Sequence, residues 1–208
     1  MINTMDVKHP TNNREKEVKF YLREIDQYIE KLNSMNAVLK KKRVHEVNLR
    51  FDSVDGTLRA QHHVLRLRKD DQVRLTYKGA ANLASEVADR QELEVVVQDL
   101  DTTRAILEAL GFQVFILYEK YRTTYELGDC EVVVDEMPFG NFTEIEGNSV
   151  EAIHALATAL DLDWEKRITA SYLQLFHHLQ QKYAMDVTNL AFDEFKDCTF
   201  TEKDFLIV

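Results

Sequence analysis

Apolar and charged residues alternate along much of this chain with the two-residue period of a β-strand. Between Glu15 and Leu22, the residues Glu15, Glu17 and Lys19 fall on one side, and Val18, Phe20 and Leu22 on the other. The same alternation predicts strands over Val44–Phe51, Val64–Arg68, Gln72–Lys78, Gln91–Val97, Ile116–Glu126, Glu131–Glu136 and Phe142–Glu146. Turn residues separate them: Asp55-Gly56, the polar Lys69-Asp70-Asp71, the small residues of Gly79–Ser85, and Gly128-Asp129 as a hairpin turn. Pro138–Gly140 opens a loop before the last strand.

Helical spacing appears between the strands. Ile25, Tyr28, Ile29 and Leu32 share one face. Ile106, Leu107 and Leu110 form a short helix capped by Asp101 or Thr102, with Gly111 placed to end it. Ile153, Leu156 and Leu160 follow a Ser149 cap, and Tyr172–Tyr183 carries Leu173, Leu175, Phe176 and Leu179. The pattern is α+β, about eight mostly antiparallel strands with helices inserted. Residues 1–13 are polar and read as a flexible N-terminal segment, 14–183 as one domain, and 184–208 as an acidic C-terminal extension. In that extension Leu190, Phe192, Phe195, Phe200 and Phe205 favour packing over disorder.

At 208 residues the chain can bury a core without disulfides. Cys130 and Cys198 are its two cysteines, far apart and outside any zinc-type spacing, which suits a reducing compartment. No run reaches signal-peptide or membrane-spanning length, so the chain is read as cytoplasmic and without a membrane partner. A net charge of −10 disfavours long nucleic acid. Lys40–Arg43 reads as a solvated helix end, and His62-His63 and His177-His178 show no ligand spacing.

The charged faces change this picture. Glu15-x-Glu17-x-Lys19, Arg66-x-Arg68, Glu92-x-Glu94, Lys120-x-Arg122 and Glu144-x-Glu146 repeat one device, with Lys78 and Asp135 on matching faces. Arg50 and Arg74 fall on inward faces too, where each serves equally well as a surface charge. The opposite faces carry Val18, Phe20, Leu65, Leu67, Leu75, Leu93, Val95, Tyr121 and Ile145, which are expected to lie under helices. If the sheet closes on itself, its charged face encloses a hydrated tunnel. Arg and Lys bind phosphate oxygens, while carboxylates hold Mg²⁺ or Mn²⁺, so the two sets together suit a metal-bound polyphosphate.

These residues resemble the CYTH superfamily, which holds class IV adenylyl cyclases, thiamine triphosphatases and inorganic triphosphatases. Glu15-Lys-Glu17-Val-Lys19 is similar to its ExExK signature. Arg66-Leu-Arg68, Thr76-Tyr-Lys78-Gly79, Glu92-Leu-Glu94, Glu119-Lys120-Tyr-Arg122, Asp135, Glu144-Ile-Glu146 and Ser171-Tyr172-Leu173 follow in family order. The resemblance implies an eight-stranded antiparallel β-barrel, a triphosphate tunnel with helices packed outside. By it, Glu15, Glu17, Asp135, Glu144 and Glu146 hold divalent metal. Lys19, Arg66, Arg68, Lys78, Lys120 and Arg122 cradle the phosphates, and Glu92 and Glu94 belong to the metal site or its surroundings. Glu15, Glu17 and Lys19 are the catalytic candidates, the substrate is a small triphosphate, and a homodimer is common among such proteins. Two reactions fit: hydrolysis of a triphosphate, which needs only this shared machinery, or cyclisation of ATP, which also needs base recognition. A non-catalytic polyphosphate-binding module is the third reading, against which the full acidic set argues.

Overall fold

The computed structural model describes residues 14–80 and 86–205, without the side chains of Arg14 and Glu15. The segment 1–13 expected to be flexible, and residues 81–85 of the turn-rich stretch, lie outside the described residues. The strands are β1 (Arg14–Leu22), β2 (Val38–Ser53), β3 (Val64–Lys69), β4 (Val73–Lys78), β5 (Ala88–Val97), β6 (Phe112–Leu127), β7 (Cys130–Met137) and β8 (Gly140–Gly147). The helices are α1 (Ile25–Ser34), α2 (Thr57–Ala60), α3 (Leu100–Ala109), α4 (Val150–Ala159) and α5 (Tyr172–Tyr183). All strand pairs are antiparallel, and they close into one barrel in the order β1-β5-β4-β3-β2-β6-β7-β8. Closure gives every strand an inside and an outside.

The apolar face of β1 points outward. Val18, Phe20 and Leu22 pack with Val132, Val134 and Ile145 beneath Tyr28 and Leu32 of α1 and Ile153 and Ala157 of α4. Cys130 is buried in the same cluster, as a small packing residue. A second cluster sits under α3, where Leu107 meets Leu49, Phe51 and Leu67. The helices stop there. Val95 on the outer face of β5 is 55% exposed, and Leu65, Leu75, Leu93 and Tyr121 are only half-buried. The expectation that all outer apolar residues lie under helices therefore fails over β4 and β5, because α3 packs on β3 and β6.

The third cluster closes the barrel. Met137 and Phe142 continue the inner faces of β7 and β8, two residues along from Asp135 and Glu144. With Ile116 and Tyr118 they pack against Leu175, Phe176 and Leu179 of α5 and against Leu190, Phe195 and Phe205 of the C-terminal segment. That segment also bonds to β6: Glu119 N–H donates to the Leu190 carbonyl and Leu190 N–H to that of Leu117, at 2.9 and 3.0 Å. Asp204 fastens its end, accepting from Lys182 and Tyr183, both at 2.6 Å.

Two local expectations are corrected. Lys40–Arg43 is no helix end. The chain turns at Asn36, in the left-handed region at φ 60°, and the basic run pairs with β6 as part of β2, with register shifts at Leu39/Lys41 and Lys41/Val44. Acids on neighbouring elements neutralise it: Lys40 meets Glu126, Lys41 meets Asp70 and Asp71, and Arg43 meets Glu136. The α3 cap is Asp99, whose carboxylate accepts from Thr102 N–H at 2.7 Å. Among the described residues no helix is long and apolar enough to cross a membrane.

A charged tunnel as the candidate active site

Period-two alternation brings ionised residues from all eight strands to the inside of the barrel. They enclose a cavity of about 540 Å³, within the range of small-molecule sites. Its described lining carries eight basic side chains and six carboxylates, with Ser171, Tyr172 and Leu173 at the N-terminus of α5 completing the wall. A capping box fixes that helix start, since Ser171 accepts from Gln174 N–H while Gln174 accepts from Ser171 N–H at 2.8 Å.

On the β1–β8–β7 side the two signs are tightly matched. Lys19 Nζ lies 2.7 Å from Glu17 and 3.1 Å from Glu144. Burial opposes the charge on Lys19, but the two carboxylates outweigh it and raise its pKa. Arg122 forks onto Asp135, Nε to Oδ1 at 2.6 Å, and also donates to Glu144. Asp135 is wholly buried and accepts further bonds from Lys120 at 3.0 Å and from the Tyr172 hydroxyl at 2.9 Å. Burial works against ionisation of Glu144, yet Lys19, Arg122 and Lys120 hold its carboxyl well below the usual range. Glu17, Glu146 and Glu131 follow one another across β1, β8 and β7 in a single row. At the exposed rim, desolvation and the nearby Glu144 raise the Glu131 pKa against the pull of Arg122.

On the β2–β5 side the contacts are looser. Arg66 reaches the Tyr118 hydroxyl at 3.4 Å and Thr76 at 3.3 Å, with Glu94 at 3.7 Å. Arg68 stands 3.6 Å from Glu94, and Lys78 3.0 Å from Glu92. Glu46, 2% exposed, lies 3.7 Å from both Arg68 and Lys120. Burial would raise its pKa, but Lys120, Arg122, Arg68 and Arg66 bring it down to about 2. Both amide atoms of the buried Asn48, and the Nε atoms of Arg50, Arg66 and Arg68, have no hydrogen-bond partner. Buried polar groups without partners mark a place for a polar ligand or water.

A sequence model of the CYTH domain matches residues 13–172, the stretch that builds this barrel. The chain belongs to the CYTH family. A protein of Methanocaldococcus jannaschii named "putative adenylate cyclase" is 27% identical over 172 residues, covering 77% of this chain and 97% of its own. A crystal structure of a "putative adenylate cyclase" from Vibrio parahaemolyticus superposes with a TM-score of 0.70 at 20% identity, covering 78% of this chain and 97% of that one. A Hippeastrum protein, called a "putative adenylyl cyclase" with a dominant triphosphatase activity, reaches a TM-score of 0.58 at 19% identity, covering 78% and 95%. All of α5 after Tyr172, and the segment that follows it, lie beyond the matched CYTH stretch, yet both belong to the packed barrel.

Of the candidate residues of this CYTH chain, Glu17, Lys19, Arg66, Arg68, Lys78, Glu92, Glu94, Lys120, Arg122, Glu144 and Glu146 all line the one cavity. The Glu15 side chain lies outside the described residues. Its backbone pairs with Arg90, two residues before Glu17 on the same strand face. Asp135, grouped in the sequence reading with metal ligands, lies in the wall behind the lining, its oxygens held by Arg122, Lys120 and Tyr172. Arg74 turns instead to Asp70, 2.8 Å away.

The sequence assigns no role to Glu46, Asn48, Arg90, Tyr118 or Glu131, and gives Tyr172 only as part of the Ser171-Tyr172-Leu173 motif. Glu46-x-Asn48-x-Arg50 and Glu131-x-Val133-x-Asp135 have the same period-two signal as the recognised pairs. The signal at Tyr118 was masked by its apolar neighbours. The lining carboxylates are hard oxygen donors, the kind that Mg²⁺ and Mn²⁺ take. Among the described residues, no three acidic, histidine or cysteine side chains gather closely enough to enclose an ion, because Lys19 and Arg122 stand between Glu17, Glu144 and Asp135.

Proposed function

We propose that this chain is a divalent-metal-dependent triphosphatase that hydrolyses inorganic or organic triphosphates, whether polyphosphate, nucleoside or thiamine triphosphate, inside its barrel. The observation that carries the reading is the matched lining. A tunnel cavity holding both basic groups and carboxylates has little use for a neutral ligand, since each desolvated charge is costly unless paired. A triphosphate and a hard cation satisfy both sets together. Glu15, Glu17, Glu144 and Glu146 would hold Mg²⁺ or Mn²⁺, and Glu131 extends that row. When bound, the metal supplies charge neutralisation on the phosphates and a water of lowered pKa.

The chain's own groups do the rest. Arg66, Arg68, Lys78 and Lys120 offer N–H donors to phosphate oxygens around the cavity. Lys19 sits between Glu17 and Glu144 and exchanges one carboxylate for a phosphate oxygen as the substrate enters. Arg122 is aimed by Asp135, and Tyr172 fixes Asp135 from below, so we assign Asp135 to positioning the two cations. Such fixed donors stabilise charge on the leaving phosphates without reorganising. Hydrolysis is favoured over cyclisation because it needs only the shared phosphate- and metal-binding groups, whereas cyclisation also needs a site that recognises the base.

Product analysis tests the reading. Purified protein with Mg²⁺ or Mn²⁺ should release orthophosphate from inorganic triphosphate, ATP or thiamine triphosphate. Cyclic AMP and diphosphate from ATP would establish the cyclase instead. Tight polyphosphate binding with no turnover under any divalent metal would leave a binding module. Glu17→Gln should abolish turnover while leaving the circular dichroism spectrum unchanged.

A further inference from the structure

Arg50 stands apart from the other cations of the tunnel. Lys19, Arg66, Arg68, Arg90, Lys120 and Arg122 each have a carboxylate oxygen within 4.0 Å, and Lys78 has Glu92. Among the described residues Arg50 has no such partner, and its Nε makes no hydrogen bond. It nevertheless lines the cavity. Its neighbour across β3 is another guanidinium, Arg66, and across β6 it pairs with Ile116. Ile116 belongs to the apolar cluster that closes the barrel, so Arg50 marks the closed end, while the exposed Glu131 marks a rim. Burial, opposed by Tyr118 and Asp52 and reinforced by Arg66 and Arg90, lowers the Arg50 pKa to about 10, which leaves it charged at neutral pH.

The Phe115 ring, 5.9 Å from the guanidinium, offsets part of the cost of burying this cation, and an arriving anion would compensate the rest. The Tyr118 hydroxyl, already bonded to Arg66, provides a further polar group at that end. We propose that Arg50, with Arg66 and Tyr118, forms an anion subsite at the closed end of the tunnel that takes the terminal phosphate of the substrate. The substrate then enters end-on, with its free, doubly charged phosphate leading and any organic group trailing toward the rim. A terminal phosphate suits the place because it presents three oxygens and an extra charge, where an internal, anhydride-linked phosphate presents two oxygens and one charge. This proposal rests on the triphosphate reading above, and it concerns which end of the polyanion goes in first.

The test is calorimetric binding without divalent metal, so that loss of turnover cannot be confused with loss of the subsite. The probes are inorganic triphosphate, which has free ends, and a dinucleoside polyphosphate, whose phosphates are all internal. Arg50→Met should weaken binding of inorganic triphosphate by about ten- to a hundredfold, the scale of one charge-assisted contact. It should leave the weaker binding of the dinucleoside polyphosphate within about twofold, a difference of about 0.4 kcal/mol. Arg50→Lys, which keeps the charge, should recover most of the lost affinity. The ligand-free melting temperature of Arg50→Met should not fall, since repulsion with Arg66 and Arg90 is removed. Unchanged triphosphate affinity in Arg50→Met would overturn the proposal, as would an equal loss for both probes. A lowered ligand-free melting temperature, with affinity that Arg50→Lys fails to restore, would make Arg50 a structural residue and overturn it too.

Discussion

Asp135→Asn separates a positioning carboxylate from a metal-binding one. Asp135 is wholly buried, and four hydrogen bonds converge on it: two from Arg122, one from Lys120 and one from Tyr172. Asparagine keeps one acceptor oxygen but turns an NH₂ group toward donors, and it removes the negative charge between two cations. Breaking a buried ion pair from one side costs about 3–5 kcal/mol. Here Arg122 keeps Glu144 and Lys120 keeps Glu46 at 3.7 Å, which places the expected loss at the lower end, about 3 kcal/mol. For a domain of this size that is a fall of about 6–12 °C in melting temperature. The assay is urea and thermal unfolding of wild type and variant, each with EDTA and with excess Mg²⁺. The loss should be equally large in EDTA. A variant as stable as wild type in EDTA, but deaf to added Mg²⁺, would refute the positioning role and return Asp135 to the metal ligands.

Further outcomes follow from other parts of the structure. Glu46 has a folded-state pKa of about 2, below its unfolded value of about 4.3. The unfolded chain therefore binds the proton first, and the stability that Glu46 contributes, about 3 kcal/mol, is present above pH 4.5 and lost as pH falls toward 2. Urea midpoints measured across that window should fall less steeply in Glu46→Gln than in wild type; parallel curves would contradict this. Phe205→Ala should cost about 3–5 kcal/mol in chemical denaturation, because its ring is fully buried against Tyr21, Phe139 and Phe142. A neutral effect would mean that the C-terminal segment is not part of the core. Ser171→Ala should cost about 1 kcal/mol through loss of the α5 cap, seen as a drop of about 2–4 °C in melting temperature.

What could be read from the sequence was whatever alternation encodes. Every expected strand exists, because closure of the barrel forces each to carry a polar inside and an apolar outside over the residues that were counted. Where the pattern lapses, the reading lapsed. Lys40–Arg43 has no apolar member to set a period, and its strand character comes from β6 and from acids on other elements. Tyr118, Ile116 and Phe142 are apolar or aromatic on an inner face, which a one-sided pattern assigns to the outside. They make sense only once α5 and the C-terminal segment are seen to fill the barrel's end. Glu46 carries the same spacing as the recognised pairs, yet its meaning depends on partners on the neighbouring strands β3 and β6. The grouping of Asp135 with the metal carboxylates came from family order, whereas its bonds to Arg122, Lys120 and Tyr172 come from the β6–β7 register and the start of α5.

The central claim is that the tunnel grips a triphosphate and cleaves it. A ³¹P NMR time course of inorganic triphosphate with the purified chain and Mg²⁺ or Mn²⁺ addresses it most directly. The account predicts that the triphosphate signals give way to equal amounts of diphosphate and orthophosphate, with no change when EDTA is in excess. Triphosphate signals that persist unaltered with either metal would contradict it.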